Sequence, residues 1–97
     1  MIVSFGDAAT EDLFNGVDSR RTRHFLPREL WAKARLKLDM LHEVDRLESL
    51  RFPPGNRLEA LKGDRKGQHS IRINAQYRIC FTWTPSGPAD VEVVDYH

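Results

Sequence analysis

Residues 70–74 and 77–83 carry the pattern that most constrains this chain: two runs in which apolar and polar side chains alternate, as in half-buried strands. In the first, Ile71 and Ile73 face one way and Ser70, Arg72 and Asn74 the other. In the second, Tyr77, Ile79, Phe81 and Trp83 share a side, opposite Arg78, Cys80 and Thr82. Only Asn74, Ala75 and Gln76 lie between Ile73 and Tyr77, so an antiparallel hairpin is predicted. A one-residue slip would turn every side chain over. Keeping both isoleucines on one core therefore requires Ile73 to oppose Tyr77 and Ile71 to oppose Ile79. That register sets Arg72 opposite Arg78. Like charges facing each other across strands are destabilising, so losing one arginine is expected to leave stability unchanged or raise it by up to ~1 kcal/mol. An anion between the two would relieve the conflict, and the pair is the first pointer to a phosphate-bearing ligand.

The rest of the chain is read around this hairpin. Residues 2–5 form a short apolar run with the character of a strand. Asp7 is placed to cap a short helix that buries Ala9, Leu13 and Phe14 and ends at Gly16. Residues 15–23 are polar, show no apolar period, and read as a mobile connector. Pro27 and Glu29 open the longest helix, with Leu30, Ala34, Leu38, Leu41 and Val44 as its buried stripe. Arg28, Lys33, Arg35, Lys37 and Asp39 lie off that stripe, Leu47 and Leu50 extend its apolar contact, Trp31 and Met40 flank the core, and His42 reads as a surface histidine. Phe52-Pro53-Pro54-Gly55-Asn56 stops the helix. Residues 57–61 suit a first strand, and 64–67 a tight turn with Gly67 at positive φ. After the turn at 85–88, Val91, Val93 and Val94 point to both faces of a last strand, which argues for an interior position. The fold class is α+β, with two N-terminal helices packed on one face of a twisted, mainly antiparallel sheet, and residues 1–97 forming a single domain.

Ninety-seven residues with 40% apolar and 30% charged content fit one small core. The start lacks the basic and long apolar regions of a signal peptide, and no run is long enough for a membrane span. A single cysteine, Cys80, fits a reducing cytoplasm and, set in a strand among aromatics, reads as a packing residue. The net charge of +1 decides little, but its distribution is uneven. Between Arg51 and Arg78 stand seven basic residues against two acids, Glu59 and Asp64. That excess suits contact with a nucleic acid backbone, and Arg57, Arg65, Lys66 and Arg72, with His69, are the candidate RNA contacts. A solvated loop and strand face would account for the charge as well.

The chain closes on Asp95-Tyr96-His97. A strand ending there would deliver a carboxylate, a phenol and an imidazole to a rigid sheet near Lys62, Arg72 and Arg78. These are the parts phosphodiester cleavage needs: a base for the 2′-hydroxyl proton, cations for the crowded phosphate, and an acid for the leaving 5′-oxygen. The histidines are scattered, with no Cys/His ligand spacing, so neither a metal nor another cofactor is implied.

Segments 53–63, 67–74, 77–83 and 94–97 together resemble the HigB-like branch of the RelE superfamily, toxins of bacterial toxin–antitoxin pairs. The resemblance implies a microbial-ribonuclease-like α+β sandwich and a cytoplasmic mRNA interferase acting at the ribosomal A site. It also implies a cognate helix-turn-helix (HigA-like) antitoxin, with operator DNA reached only through that antitoxin, and no membrane. Position by position, Asp95, Tyr96 and His97 match the family's C-terminal active-site residues. Lys62 matches a lysine near the reaction centre, and Arg78 the arginine that stabilises phosphate charge. Some relatives carry a histidine where this chain has Glu59, which is either a base or an ion-pair partner of Arg57; His69 compensates only if it points to the same side. The rival readings are a non-catalytic RNA- or ribosome-binding module on the same fold and a protein-interaction domain docking an acidic partner.

His97 offers the sharpest test of the catalytic reading. Deleting it is expected to lower single-turnover RNA cleavage by ~10²–10⁴-fold, as for other general acid–base groups, while leaving the thermal midpoint nearly unchanged. Full cleavage by the shortened chain would remove His97 from the mechanism.

Overall fold

In the computed structural model, which describes residues 1–96, the hairpin forms in the register that alternation demands. Strand β2 (His69–Arg72) pairs antiparallel with β3 (Tyr77–Thr84), setting Ile71 opposite Ile79 and Arg72 opposite Arg78. Asn74 closes the loop, its side-chain oxygen accepting from the Gln76 and Tyr77 N–H groups at 2.9 and 2.7 Å. Strand β1 (Glu59–Ala60) adds to one side and β4 (Gly87–Asp95) to the other, giving an antiparallel sheet in the order β1-β2-β3-β4. The turn between β1 and β2 depends on Gly67, whose φ of 94° lies in the left-handed region.

The last strand therefore lies at the sheet's edge, against the interior position that its valines suggested. Its outer side is covered by other means. The N-terminal segment runs beside it, with Phe5 bridging Val91 in parallel and the Val3 N–H donating to the Pro88 carbonyl at 2.7 Å. The Val93 N–H is taken by Thr10 Oγ1 at 3.0 Å and the Asp90 N–H by Ser4 Oγ at 2.9 Å. Covered donors blunt an edge that would otherwise recruit another strand. The strand expected over 2–5 is reduced to that single bridge.

Helix α1 (Ala8–Phe14) is capped as its sequence indicates, with the Asp7 carboxylate accepting from the Thr10 N–H at 2.8 Å. The expected connector corrects to a second helix, α2 (Arg20–Phe25), so three α-helices precede the sheet. Ser19 caps it, and Thr22 is fully buried, donating its hydroxyl to the Ala9 carbonyl at 3.0 Å. A helix of six residues anchored through a threonine displays no apolar period. Two of its arginines are held by acids of the same chain, Arg21 by Asp12 at 2.7 Å and Arg23 by Asp18 at 2.6 Å, and Asp18 also takes Arg28, just beyond the helix, at 2.5 Å. The facing guanidinium groups hold the carboxyls of Asp12 and Asp18 below the ordinary carboxylate value.

Helix α3 (Trp31–Glu43) buries Ala34, Leu38 and Leu41 completely against the sheet face formed by Ile71, Ile73, Tyr77, Ile79, Phe81, Val91 and Val93. It ends at Glu43, earlier than the leucine spacing suggested, and Leu50 reaches the core from a separate 3₁₀ turn over Leu47–Arg51. Trp31 sits within the core and donates its indole N–H to the Leu26 carbonyl at 2.9 Å. His42 is no free surface histidine: its Nδ1 accepts from the Ile2 N–H at 3.1 Å, and its ring packs on Phe14. Among the described residues, no helix is long and apolar enough to cross a membrane.

Lys37 departs furthest from expectation, being only 7% exposed where the pattern set it off the stripe. Its ammonium donates to Asn56 Oδ1 at 2.5 Å, and the Asn56 amide donates to the Leu50 and Phe52 carbonyls at 3.1 Å each. One buried asparagine thus ties α3 to the loop entering the sheet. Asn56→Ala leaves an ammonium and two carbonyls short of partners and is expected to cost about 3 kcal/mol. Lys37→Met, which removes the buried charge itself, should cost less than half of that in the same urea titration. Equal losses would show that the contact carries no special weight.

Candidate active site

Period-two alternation also builds the sheet face that the helices leave uncovered. One row across the four strands is Glu59, Ser70, Cys80 and Glu92, and the next is Arg72, Arg78 and Val94. Arg78 lies at the centre of this face and is only 8% exposed. Its Nε donates to Ser70 Oγ at 2.7 Å, and a terminal nitrogen donates to the Arg57 carbonyl at 2.6 Å. The Glu59 carboxylate approaches to 3.9 Å, and the Tyr96 ring centroid lies 5.6 Å from the guanidinium carbon. Arg57 itself adopts a left-handed backbone, with φ 46°, an uncommon conformation for a residue with a β-carbon. The bond from Arg78 helps to hold that turn in place.

The conflict between Arg72 and Arg78 is thus met from inside the protein. Arg78 donates to Ser70 and the Arg57 backbone with the Glu59 carboxylate nearby, while Arg72 stays half-buried on the neighbouring strand. Further along the face, Arg65 pairs with Glu92 at 2.8 Å and donates to Gln68 Oε1 at 2.9 Å. The hydrogen bond to Glu92 raises the Arg65 guanidinium above its ordinary value. Cys80, fully buried beneath these groups, has its thiol pushed up by burial, which suits a packing role.

Tyr96 follows Val94 on the Arg78 side and is 39% exposed; its N–H donates to the Gln76 carbonyl at 2.6 Å. Asp95 instead stands opposite Tyr77, a residue of the helix-side core, and accepts from Gln76 Nε2 at 3.2 Å. Neighbouring residues of one strand thus send the phenol and the carboxylate toward different sides.

A model of the HigB family, described as the RelE-like toxin of a type II toxin–antitoxin system, matches residues 3–97. The chain belongs to this family of HigB-like toxins. It is 39% identical over 83 residues to Toxin HigB-1 of Vibrio cholerae serotype O1, covering 86% of this chain and 84% of that relative. It is also 36% identical over 62 residues to an uncharacterized protein of Haemophilus influenzae, covering 64% and 61%. As a type II toxin, the molecule has a cognate antitoxin for a partner. The α+β architecture agrees with the RelE-like fold.

Of the residues singled out in the toxin's sequence, the structure brings Arg78, Glu59 and Tyr96 together, with Arg65 further along the same face. Glu59 approaches Arg78 rather than Arg57. Lys62 and Lys66 are exposed on the turn joining β1 to β2, at the end of that pair away from Arg57. His69 does not join them. It stands opposite Phe81 and stacks on that ring at 6.3 Å, on the helix side, so it does not occupy the place Glu59 takes. His97 lies outside the described residues. Ser70 and Glu92, which hold Arg78 and Arg65, were not singled out. Ser70's only signal was sharing a face with Arg72 and Arg78, and Glu92 gave none before its strand was paired.

These contacts reverse the stability expectation for Arg78. Arg78→Ala is expected to destabilise the toxin by about 2 kcal/mol, through lost charge-assisted bonds and the stranded Arg57 carbonyl. Ser70→Ala should cost about 1 kcal/mol. A melting point unchanged in Arg78→Ala would mean that repulsion from Arg72 dominates after all.

Proposed function

We propose that this toxin is a ribosome-dependent mRNA endoribonuclease. The observation that carries the reading is the guanidinium of Arg78, held by Ser70 and the Arg57 carbonyl with a carboxylate and a phenol ring beside it. A cation fixed before the reaction stabilises charge that develops on a phosphate without reorganisation at the moment of bond cleavage. In the proposed step, the RNA's own 2′-oxygen attacks the adjacent phosphorus while the bond from phosphorus to the 5′-oxygen breaks. A base on the toxin takes the 2′-hydroxyl proton, and an acid returns one to the leaving 5′-oxygen, leaving a 2′,3′-cyclic phosphate. Arg78 and Lys62 offset the added negative charge. Glu59 lies on the reacting face as a candidate base, Tyr96 orders the site over Arg78, and Asp95 and His97 complete the acid–base set.

On this reading residues 1–97 act as a single domain in the bacterial cytoplasm. The A site of the ribosome presents the message, and Arg57, Arg65, Lys66 and Arg72 hold its backbone. A helix-turn-helix antitoxin of HigA type silences the toxin and carries it to operator DNA. Two observations favour a second reading, a non-catalytic RNA- or ribosome-binding module: Arg78 already has protein acceptors, and Asp95 diverges from Tyr96.

A brief pulse of expression, followed by mapping of RNA 5′ ends with and without translating ribosomes, separates the two. New ends that require translation, together with growth arrest relieved by the co-expressed antitoxin, are expected. Glu59→Gln should reduce cleavage by ~10²-fold or more if it is the base. Normal growth under strong expression of soluble wild-type protein would overturn the enzyme reading.

A further inference from the structure

A second cluster of cations lies off the Arg78 face, where α3 meets the hairpin. A cavity of about 400 Å³ opens there, lined by Lys33 and Lys37 of α3, Arg57 of the loop, and Arg72 with Asn74 at the hairpin end. Among the described residues, the lining brings four cations and no carboxylate. Lys33 and Lys37 are one helical turn apart, a spacing at which like charges destabilise. Lys37 is only 7% exposed, and Asn56 Oδ1 takes one of the three donors its ammonium carries. Burial first, and then neighbouring Lys33, push that ammonium below its ordinary value. Such a cluster is unfavourable by itself and becomes favourable once an anion enters.

We propose that this cavity is a second phosphate subsite, which holds an RNA backbone phosphate next to the one at Arg78. The inference rests on the RNA-cleaving reading and extends it to α3. Two features favour RNA over an acidic protein segment. Arg57 belongs to both places, giving its carbonyl to Arg78 and lining the cavity. Arg72, directly opposite Arg78 in the strand register, is the other shared wall. The cations therefore form one continuous track from the reacting face to the helix edge, as a strand with regularly spaced phosphates requires. A subsite of this kind grips the strand beyond the scissile bond and so sets register.

The test uses the full-length chain and a short 2′-O-methyl RNA, which binds but lacks the attacking hydroxyl. Its affinity is followed by fluorescence anisotropy over a range of salt concentrations. Lys33 is exposed, so Lys33→Ala spares the fold. It should weaken binding and lower the slope of log K against log salt by ~0.7, the value for one single-strand phosphate contact. Arg46→Ala removes an equal charge from an exposed ion pair with Glu48 and should leave that slope unchanged. Equal slopes for the two variants, or no binding by the wild type even at low salt, would overturn the subsite. So would a Lys33→Ala protein that binds the oligonucleotide normally but no longer captures its antitoxin, because the cavity then takes an acidic protein segment. Cleavage on translating ribosomes is scored in parallel with wild-type protein. Cleavage with equal slopes removes only the subsite, whereas a Lys33-dependent slope without cleavage removes only the enzyme.

Discussion

The period-two alternation of the β2–β3 hairpin is the constraint on which the rest of this toxin depends. With Ile71 opposite Ile79, every second side chain is committed to the helices, and the intervening ones are committed to the other face. The helix side then fills with leucines from α1 and α3. The far side receives Ser70, Arg72, Arg78 and Cys80, and through β1 and β4 also Glu59 and Glu92. A packed core and a charged face are thus two consequences of one register. A slip of one residue would destroy both together.

The loop from Leu47 to Leu58 joins the two halves of the molecule and is held from both sides. Asn56 anchors it to α3 through Lys37, and Arg78 anchors it to the sheet through the Arg57 carbonyl. Each anchor is a charged side chain donating to a neutral oxygen, the first buried and the second partly so, where such bonds are strong and their loss is expensive. The backbone turn at Arg57, with its left-handed φ, sits between the two anchors. Stability and site geometry are consequently hard to separate here. The arginine proposed to meet phosphate charge is also the one that fixes the strand entry beside it.

Electrostatics divide the surface in a way that net charge conceals. Arg21 and Arg23 of α2, with the nearby Arg28, are met by Asp12 and Asp18, so much of that basic cluster is neutralised within the chain. Around Arg57, Arg72, Lys33 and Lys37 the cavity wall offers no such compensation among the described residues. A polyanion is therefore offered a defined track rather than a diffuse basic coat. That contrast favours the hairpin side over the arginine-rich α2 as the surface proposed to meet RNA.

The sequence by itself determined the hairpin, its register, the capping of α1 and the apolar face of α3, because these follow from local periodicity and from single capping or turn residues. It also carried the HigB resemblance, through segments that lie mostly within or beside the hairpin. Only the tertiary structure decided matters that depend on partners distant in the chain. Helix α2 is anchored by Thr22 on Ala9, and Lys37 is buried because Asn56 meets it nineteen residues later. The outer edge of β4 is closed by Ser4 and Thr10 from the other end of the chain, which is why valines on both faces did not mean an interior strand. Whether His69 could stand in for Glu59 depended on which side it faced, and that was open until β1 paired with β2. That pairing turned Glu59 toward Arg78 and His69 toward Phe81, since a strand's facing is fixed by its neighbour and cannot be read from the strand alone.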